Sequence, residues 1–385
     1  MSENYTELQV LVLTIAPCIT GFLSIIGSSI IIFKILADRN RNMAQLHKRI
    51  LLYMSGFDII QSISAGMSTF AAPGDAPVMY ALGNTMSCNI QGALTQLGFA
   101  VPFYNCALSS TFLLRIRYNY SEVQLRKIEP LMHLIAIGWP LGSTIAAWIM
   151  TLFNFGGNRC WINSYPFRCN EEEGNECTRG HNAYLLRWIL IGGWYVIFLI
   201  FIPCCMLATY LTVRNAERKW RRRLNDNLSR NMTDERMPSR ERLFPIRFCK
   251  CVMFSSRESK SSRRKRRRSA RFMRRERIID ESWLHAPMAS RTKNTAIQAQ
   301  LYSAAIFITL IWGLILRAYE QFHGKLPFWL VFMHTFFYPM QGFLNFFIYV
   351  RPRVVRIKRC NPRKSYFWVL KQVLYGHKQS GNHFG

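Results

Sequence analysis

The sequence predicts an all-α membrane protein, a seven-transmembrane helix bundle with its N-terminus outside and its C-terminus in the cytoplasm. The prediction rests on seven long apolar runs and on the distribution of positive charge between them. An apolar run of about 20 residues is long enough to cross the roughly 30 Å hydrocarbon core of a bilayer as a helix. The predicted spans lie near residues 8–36, 48–71, 88–114, 131–153, 184–211, 296–317 and 327–350.

The charge of the connecting segments sets the orientation. Segment 214–295 contains 26 Lys and Arg residues against nine Asp and Glu residues, and the tail 351–385 contains nine basic and no acidic residues. The short connections 37–49 and 115–129 are also net positive. Because basic loops stay in the cytoplasm, these four segments are predicted to be cytoplasmic. The remaining connections, which together are net negative and are predicted to lie outside, are 1–7, 72–87, 154–183 and 318–326.

The whole chain is strongly basic, with a formal net charge of +29. In a soluble protein this charge would suggest nucleic acid as a partner. Here the charge is predicted to face the cytoplasm, so anionic membrane lipids are the expected partners and nucleic acid is not. Segment 214–295 is poor in apolar residues, and we expect it to be largely disordered after a helix that continues from Leu211 through Arg223.

Three modification sites are predicted. The first apolar run lacks a basic lead-in, so we expect it to remain as a helix behind a short outer N-terminus, 1–7. Asn4, which begins an Asn-Tyr-Thr triplet, is then an outer glycosylation site. Ser269 follows a run of arginines, and its phosphorylation would loosen the loop from anionic lipid; an unmodified electrostatic tether is the alternative. Cys360 is a palmitoylation candidate in the basic tail, which is predicted to contain an interfacial helix.

Four of the eleven cysteines fall on the predicted outer side. An even number of cysteines in an oxidising compartment favours disulfides. Four cysteines permit three pairings, and four free thiols are also possible. A bridge between Cys88 and Cys160 would hold the 154–183 loop over the mouth of the bundle. Cys169 and Cys177 would then close a small acidic hairpin.

Three short motifs stand out in the predicted spans and loops. They are Cys160-Trp161-Ile162 in an outer loop, Ser55-Gly56-Phe57-Asp58 in the second span, and the run Pro-Met-Gln-Gly-Phe-Leu-Asn-Phe-Phe-Ile-Tyr at 339–349. Together with the predicted topology, they resemble stretches of G-protein-coupled receptors of the cyclic-AMP-receptor-like and secretin-like groups. As architecture, the resemblance covers about residues 8–365. It implies a multi-pass protein of the plasma membrane that reads an extracellular ligand and couples to a heterotrimeric G protein, without enzymatic activity.

The sequence also departs from the receptor patterns. The third span ends in Leu-Arg-Ile-Arg-Tyr at 114–118, where rhodopsin-like receptors have Asp-Arg-Tyr. The seventh span contains no Asn-Pro-x-x-Tyr motif, and only about seven residues precede the first span, where secretin-type receptors have a large ligand-binding domain. The cyclic-AMP-receptor-like group therefore fits better, but its ligand is not transferred to this chain.

Two groups of residues are predicted to carry signalling. Arg115, Arg117 and Tyr118 end the third span, where they are expected to line a cytoplasmic cleft for the G protein; contact of the arginines with lipid headgroups is the alternative. Asp58 is a carboxylate inside an apolar helix and is expected to pair with Asn345 or Ser109. It serves either as a structural anchor or as a switch. The predicted switch and packing residues are Asp58, Pro339, Gln341, Asn345 and Tyr349.

The predicted ligand site lies in the outer half of the bundle. Its candidate residues are Gln91, Gln96, Tyr104, Trp161, Arg187, Trp188, Arg317 and Glu320. Arg187 and Arg317 suit an anionic ligand, and they are equally able to extend toward outer lipid headgroups.

Other classes of membrane protein fit less well. A retinal protein needs a lysine in its seventh span, and residues 327–350 contain none. A zinc hydrolase needs several converging ligands, yet His133 and His334 stand without a ligand pattern. A transporter would usually carry more ionisable residues along a path than Asp58 alone. No cofactor or metal is therefore predicted. A transporter and a non-signalling scaffold or trafficking protein remain the alternatives.

Overall fold

The computed structural model describes residues 5–37, 39–76, 78–166, 169, 176–234, 288–323 and 326–375. Three sequence predictions fall outside these residues: the glycosylation site at Asn4, the phosphorylation site at Ser269, and the disorder of most of the segment 214–295. These three stay predictions.

Helices dominate the described chain. In order, the α-helices are α1 Glu7–Ala37, α2 Arg39–Asn42, α3 Leu46–Gly66, α4 Thr85–Gly98, α5 Ala100–Arg117, α6 Glu122–Ile149, α7 Ala183–Arg187, α8 Gly193–Asp234, α9 Met288–His323, α10 Phe328–Phe337, α11 Gln341–Cys360 and α12 Tyr366–Tyr375. Short 3₁₀ turns at Ser68–Ala71 and Tyr338–Met340 and a π-helical turn at Trp188–Gly192 interrupt them. Two strands, β1 Phe153–Phe155 and β2 Cys160–Ile162, form one hairpin.

Within the described residues, five stretches are long and apolar enough to cross a membrane. They are Glu7–Ala37, Thr85–Arg117, Glu122–Ile149, Ala183–Lys219 and Thr295–Glu320. The predicted second and seventh spans are also helical, but neither passes the same test of length and hydropathy. Helix α3 carries Lys48, Arg49 and Asp58. The 3₁₀ turn divides the seventh segment, so α10 has only ten residues.

The long helices expose apolar side chains and bury polar ones. On α1, Phe22 and Phe33 are 64% and 66% exposed, whereas Ser24 and Ser28 are fully buried. A water-soluble helix has the opposite arrangement. Lipid accepts the exposed aromatic side chains, while small polar residues allow helices to approach closely inside the bundle. The chain is therefore an all-α membrane protein.

The predicted third span consists of two helices. Helices α4 and α5 are separated at Phe99, which has a turn conformation. Pro102 accounts for this break, because it lacks the N–H that would bond the carbonyl of Gly98 and its ring crowds that carbonyl. The break places the Phe99 ring against Trp161 of the loop after α6, with 5.5 Å between ring centroids.

The described residues form two compact units. The first comprises the described residues within Met1–Tyr210 and Ile297–Ile348, and the second comprises those within Leu211–Ala296 and Tyr349–Gly385. In the first unit, α1 packs against α3 and α10, α3 packs against α4 and α5, and α6 packs against both α4 and α5. Rings of α5 and α8 also meet: Phe103 lies 4.8 Å from Phe198 between centroids.

The second unit contains the ends of α8 and α11 and all of α12. Helix α8 continues to Asp234, eleven residues beyond the predicted limit at Arg223. Helix α11 runs to Cys360 without a break at residue 350, so the predicted interfacial segment continues the helix of the seventh span. On α12, Val369 and Val373 are buried, whereas Phe367 is 78% exposed. This two-faced pattern suits a helix that lies along an interface.

The closest approach between α1 and α11 depends on Gly342. Its backbone N–H donates to Ser24 Oγ at 3.1 Å. A methyl group at Gly342 would lie 2.1 Å from Ser28 Oγ and 2.9 Å from the Ser24 carbonyl oxygen. Because one of these atoms belongs to the backbone, the two helices would have to separate to accept it.

We therefore predict that Gly342→Ala lowers the free energy of unfolding by about 1–3 kcal/mol, the usual cost of overpacking. Gly142→Ala is the matched control, since a methyl group there would meet no atom within 4 Å. That variant should be neutral or stabilising by about 0.5–1 kcal/mol, because alanine favours a helix over glycine. Thermal unfolding of both variants in one detergent checks this, and equal stability would contradict the close packing.

Candidate functional site

The loop after α6, which is predicted to lie outside, is fixed to the bundle by a disulfide. Cys88, on the first turn of α4, is bonded to Cys160, the first residue of β2, with an S–S distance of 2.04 Å. Cys169 and Cys177 form a second disulfide within the same loop. The backbone N–H of Cys160 also donates to Gln91 Oε1 at 2.9 Å. The hairpin is therefore held by a covalent bond and a buried hydrogen bond.

The hairpin itself was not predicted. Its register pairs Phe153 with Ile162 and Phe155 with Cys160, and Gly157 in its turn has φ of 96°. Glycine adopts this conformation without the steric cost that other residues incur. After the turn, Arg159 contacts His334 and Cys160 is bonded to Cys88.

Gln91 and Gln96, two of the predicted ligand residues, hold the loop and do not line the cavity described below. The Gln91 amide donates to the carbonyl oxygens of Ser64 and Ser68 at 3.1 and 2.8 Å. Gln96 Oε1 accepts from the indole N–H of Trp161 at 2.9 Å, and its amide donates to Ser143 Oγ at 2.9 Å. Both glutamines are fully buried. Each joins the hairpin to a helix, because its carbonyl oxygen accepts from the hairpin while its amide donates to α3 or α6.

A cavity of about 670 Å³ lies beside the hairpin. This volume is within the range usual for small-molecule sites. Five of the predicted ligand residues line it, and they are Trp161, Arg187, Trp188, Arg317 and Glu320. The other lining residues that the following argument uses are Phe99, Arg159, Tyr195, Gly313, His334 and Tyr338.

Arg159 joins the hairpin to the seventh span. Its Nη2 lies 2.6 Å from His334 Nε2, and its guanidinium carbon lies 4.4 Å from the centre of the Tyr338 ring. Burial lowers the pKa of the Arg159 guanidinium. Arginine nevertheless stays protonated in proteins, so Arg159 remains a cation and a donor. The bond therefore requires His334 Nε2 to be the acceptor.

Arg317 has a carboxylate partner. Its Nη1 lies 2.6 Å from Glu320 Oε2, one turn further along α9. The Arg317 guanidinium also lies 5.7 Å from the centre of a Trp161 ring. The ion pair makes Arg317 and Glu320 together electrically neutral within the cavity lining.

Tyr104 belongs to a different cluster and does not line this cavity. Its hydroxyl lies 2.9 Å from His133 Nδ1, and the Tyr53 ring lies 4.6 Å from the His133 ring. Below it, Glu129 accepts from Arg49 through both carboxylate oxygens, each at 2.6 Å. This bidentate pair joins α3 to α6 and compensates the charge of Arg49, whose side chain is only 13% exposed.

The predicted switch residues form a chain of buried hydrogen bonds. Thr309 Oγ1 donates to Gln341 Oε1 at 2.8 Å, and Gln341 Nε2 donates to Asn345 Oδ1 at 3.1 Å. Asn345 Nδ2 then donates to Asp58 Oδ2 at 3.1 Å. Asp58 therefore pairs with Asn345 and not with Ser109. The chain links α3, α9 and α11.

The remaining predicted switch residues, Pro339 and Tyr349, take no part in these hydrogen bonds. Pro339 sits in the 3₁₀ turn immediately before Gln341, and its missing N–H separates α10 from α11. The carbonyl of the neighbouring Tyr338 accepts from Gln61 Nε2 at 3.3 Å. Tyr349 lies two turns after Gln341 on α11, in the second compact unit.

The predicted coupling residues end helix α5. Arg115 Nη1 lies 3.0 Å from Glu122 Oε1, across the turn that leads to α6. The Arg117 guanidinium lies 5.8 Å from the centre of the Tyr118 ring, and Tyr118 is 57% exposed. All three side chains lie at the predicted cytoplasmic end of the helix. Cys360, the predicted palmitoylation site, is partly buried.

The structure resembles a solved structure of squid rhodopsin. The two share 12% sequence identity, the match covers 98% of this chain and 93% of the other, and the TM-score is 0.56. No protein-family model matches the sequence. No curated protein matches it either.

At this level of identity the similarity shows the fold alone. The fold is rhodopsin-like, and within the described residues five helical stretches are long and apolar enough to cross a membrane. This bundle contains a cavity lined by loop and helix residues. It also contains the chain of buried hydrogen bonds from Thr309 to Asp58.

We predict that Asp58→Ala destabilises the protein by about 1–3 kcal/mol, because it leaves the Asn345 amide without its buried acceptor. Asp58→Asn is the matched variant and should cost less, since its carbonyl oxygen can still accept from Asn345. Thermal and chemical unfolding in detergent measure both. If the two variants are equally stable, the hydrogen bond contributes nothing to stability.

Proposed function

We propose that the chain is a seven-span G-protein-coupled receptor of the plasma membrane that transmits the binding of an extracellular ligand to a heterotrimeric G protein. The main support for this proposal is the rhodopsin-like fold, because the match extends over nearly the whole of this chain and of squid rhodopsin. The cavity supplies a place for the ligand, and the charge of the predicted cytoplasmic segments supplies the orientation, with the N-terminus outside.

Two lining residues, His334 and Tyr338, connect the cavity to the buried hydrogen-bond chain along the sequence. His334 and Tyr338 line the cavity, and Gln341 follows one turn later after the 3₁₀ break. Gln341 begins the hydrogen-bond chain to Asp58. A ligand that changes the position of the break would therefore act directly on that chain. Such a ligand activates the receptor only if it binds the active arrangement more tightly than the inactive one.

The inner end of α5 is the proposed contact for the G protein. Arg115 is 43% exposed in its ion pair with Glu122, so the pair is a surface one. A surface ion pair contributes about 0–1 kcal/mol and is easily exchanged for another partner. We infer that Arg115 and Arg117 meet the G protein when the inner face opens. The basic segments on this side are proposed to contact anionic lipids.

The three motifs favour the cyclic-AMP-receptor-like and secretin-like receptors as the group to which the chain is closest. The Cys-Trp pair at 160–161 supports this assignment through its place in the structure, where it fixes the loop and forms a cavity wall. The departures at 114–118 argue against the rhodopsin-like group in spite of the similarity in fold. No enzymatic activity is proposed.

We predict that replacing Arg115 and Arg117 together by Ala abolishes the acceleration of nucleotide exchange on Gα, while the protein remains folded. The measurement uses the full-length chain in nanodiscs with a panel of Gα classes, and compares basal and ligand-stimulated exchange. Replacing Arg126 and Lys127 by Ala is the matched control, since both residues are exposed on the first turns of α6 and the charge removed is the same.

Equal losses in the two double variants would mean that bulk charge, and not the end of α5, determines coupling. If the wild-type chain accelerates exchange on no Gα class, even with a confirmed binder present, the proposal fails. The chain would then be a non-signalling scaffold, a trafficking protein or a transporter with a receptor-like fold.

A further inference from the structure

We propose that the cavity binds an organic monocarboxylate, with its carboxylate group held by Arg159 and His334 and its apolar body against the aromatic wall. The inference rests on the proposed function only in taking the cavity as the ligand site, and it adds the chemical class of the ligand. The sequence pointed to Arg187 and Arg317 for an anion; the geometry points to Arg159.

Arg159 is a cation without a carboxylate partner among the residues that the structure describes. Its contacts there are one histidine nitrogen and one tyrosine ring. A guanidinium offers five N–H donors, and a single bond to His334 leaves most of them unused. Holding a charge in a partly buried site is costly unless an opposite charge and hydrogen bonds compensate it. A carboxylate supplies both, in a geometry that matches the guanidinium fork.

His334 adds a second, independent donor. The side chain is 5% exposed, and its Nε2 accepts from Arg159, so its proton resides on Nδ1. Nδ1 is buried and has no hydrogen-bond partner among the described residues. It lies beside Gly313, another lining residue: a methyl group on Gly313 would be 3.4 Å from it. An unpaired buried donor is costly, and a ligand oxygen would satisfy it.

Arg159 is the cation in direct contact with His334, and a single negative charge would compensate it at this point. Of the other lining arginines, Arg317 is paired with Glu320, and Arg187 is a further cation of the cavity. A phosphate monoester carries up to two negative charges and would need a second cation beside Arg159 at the same point. A neutral ligand would leave the charge of Arg159 uncompensated.

The rest of the ligand should be flat and apolar. Phe99 stacks on Trp161, and Tyr195 meets Phe99 edge to face at 5.5 Å between centroids. These three rings form one wall of the cavity. Aromatic walls with a few placed polar groups are typical of sites that bind small organic molecules.

The test uses 2-naphthylacetate, its neutral amide 2-naphthylacetamide, and 2-naphthyl phosphate as probes. Each is titrated into the full-length protein in nanodiscs without a G protein, and binding is measured by ligand-observed NMR and by the rise in unfolding temperature. We expect the carboxylate to bind at least tenfold more tightly than the amide, as for a charged hydrogen bond of about 1.5–3 kcal/mol, and more tightly than the phosphate.

Three variants locate the site. Arg159→Gln should weaken binding of the carboxylate by roughly tenfold or more. Arg179→Gln is the matched control; Arg179 lies in the same loop, donates to Asn89 Oδ1 at 3.1 Å, and does not line the cavity. Glu320→Gln should tighten carboxylate binding severalfold, because it releases the charge of Arg317 into the cavity. A misfolded variant cannot produce such a gain.

The proposal is overturned if the amide binds as well as the carboxylate, if the phosphate binds best, or if Arg159→Gln and Arg179→Gln reduce affinity equally. These outcomes differ from failure of the receptor proposal. Carboxylate binding that depends on Arg159, in a protein that activates no Gα, would support the site and reject the signalling function. G-protein activation by another ligand, with no carboxylate bound, would do the reverse.

Discussion

A polar side chain inside a membrane bundle must find its partner within the protein, because the surrounding lipid supplies none. Most of the arrangement described above depends on this constraint. Gln91 spans α3 and the outer hairpin because its amide and its carbonyl both have to be used. Asn345 ties α11 to α3 for the same reason. Each buried polar group therefore fixes the relative position of two elements more narrowly than apolar packing would.

The same constraint separates what the sequence predicts from what it does not. Apolar runs and the positions of basic residues are properties of single segments, so the helical membrane fold and the outer cysteines could be predicted from them. The pairing of Asp58 with Asn345 could also be anticipated, because a carboxylate within an apolar helix restricts its partners to a few polar residues. The break inside the third span at Phe99 was not predicted, although Pro102 is its cause.

The lining of the cavity could be predicted only in part. Gln91, Gln96 and Tyr104 were predicted as ligand residues because they are polar and lie on the third span, but their position on a helix does not show that neighbouring residues use their polar groups. Their contact with a ligand stays a prediction. Arg159 and His334 were missed as a pair since 175 positions separate them. Two signals were present: a histidine within an apolar run, and a basic residue directly before a loop cysteine.

Because Arg159 directly precedes Cys160, the position of Arg159 depends on formation of the disulfide during biosynthesis. The arginine enters the cavity because the next residue is bonded to Cys88. A newly synthesised chain with both thiols reduced holds the hairpin by hydrogen bonds alone. Its binding site would then be incomplete until the chain has passed through an oxidising compartment. If the chain is the receptor proposed above, formation of this disulfide would determine where in the cell it first becomes able to bind its ligand.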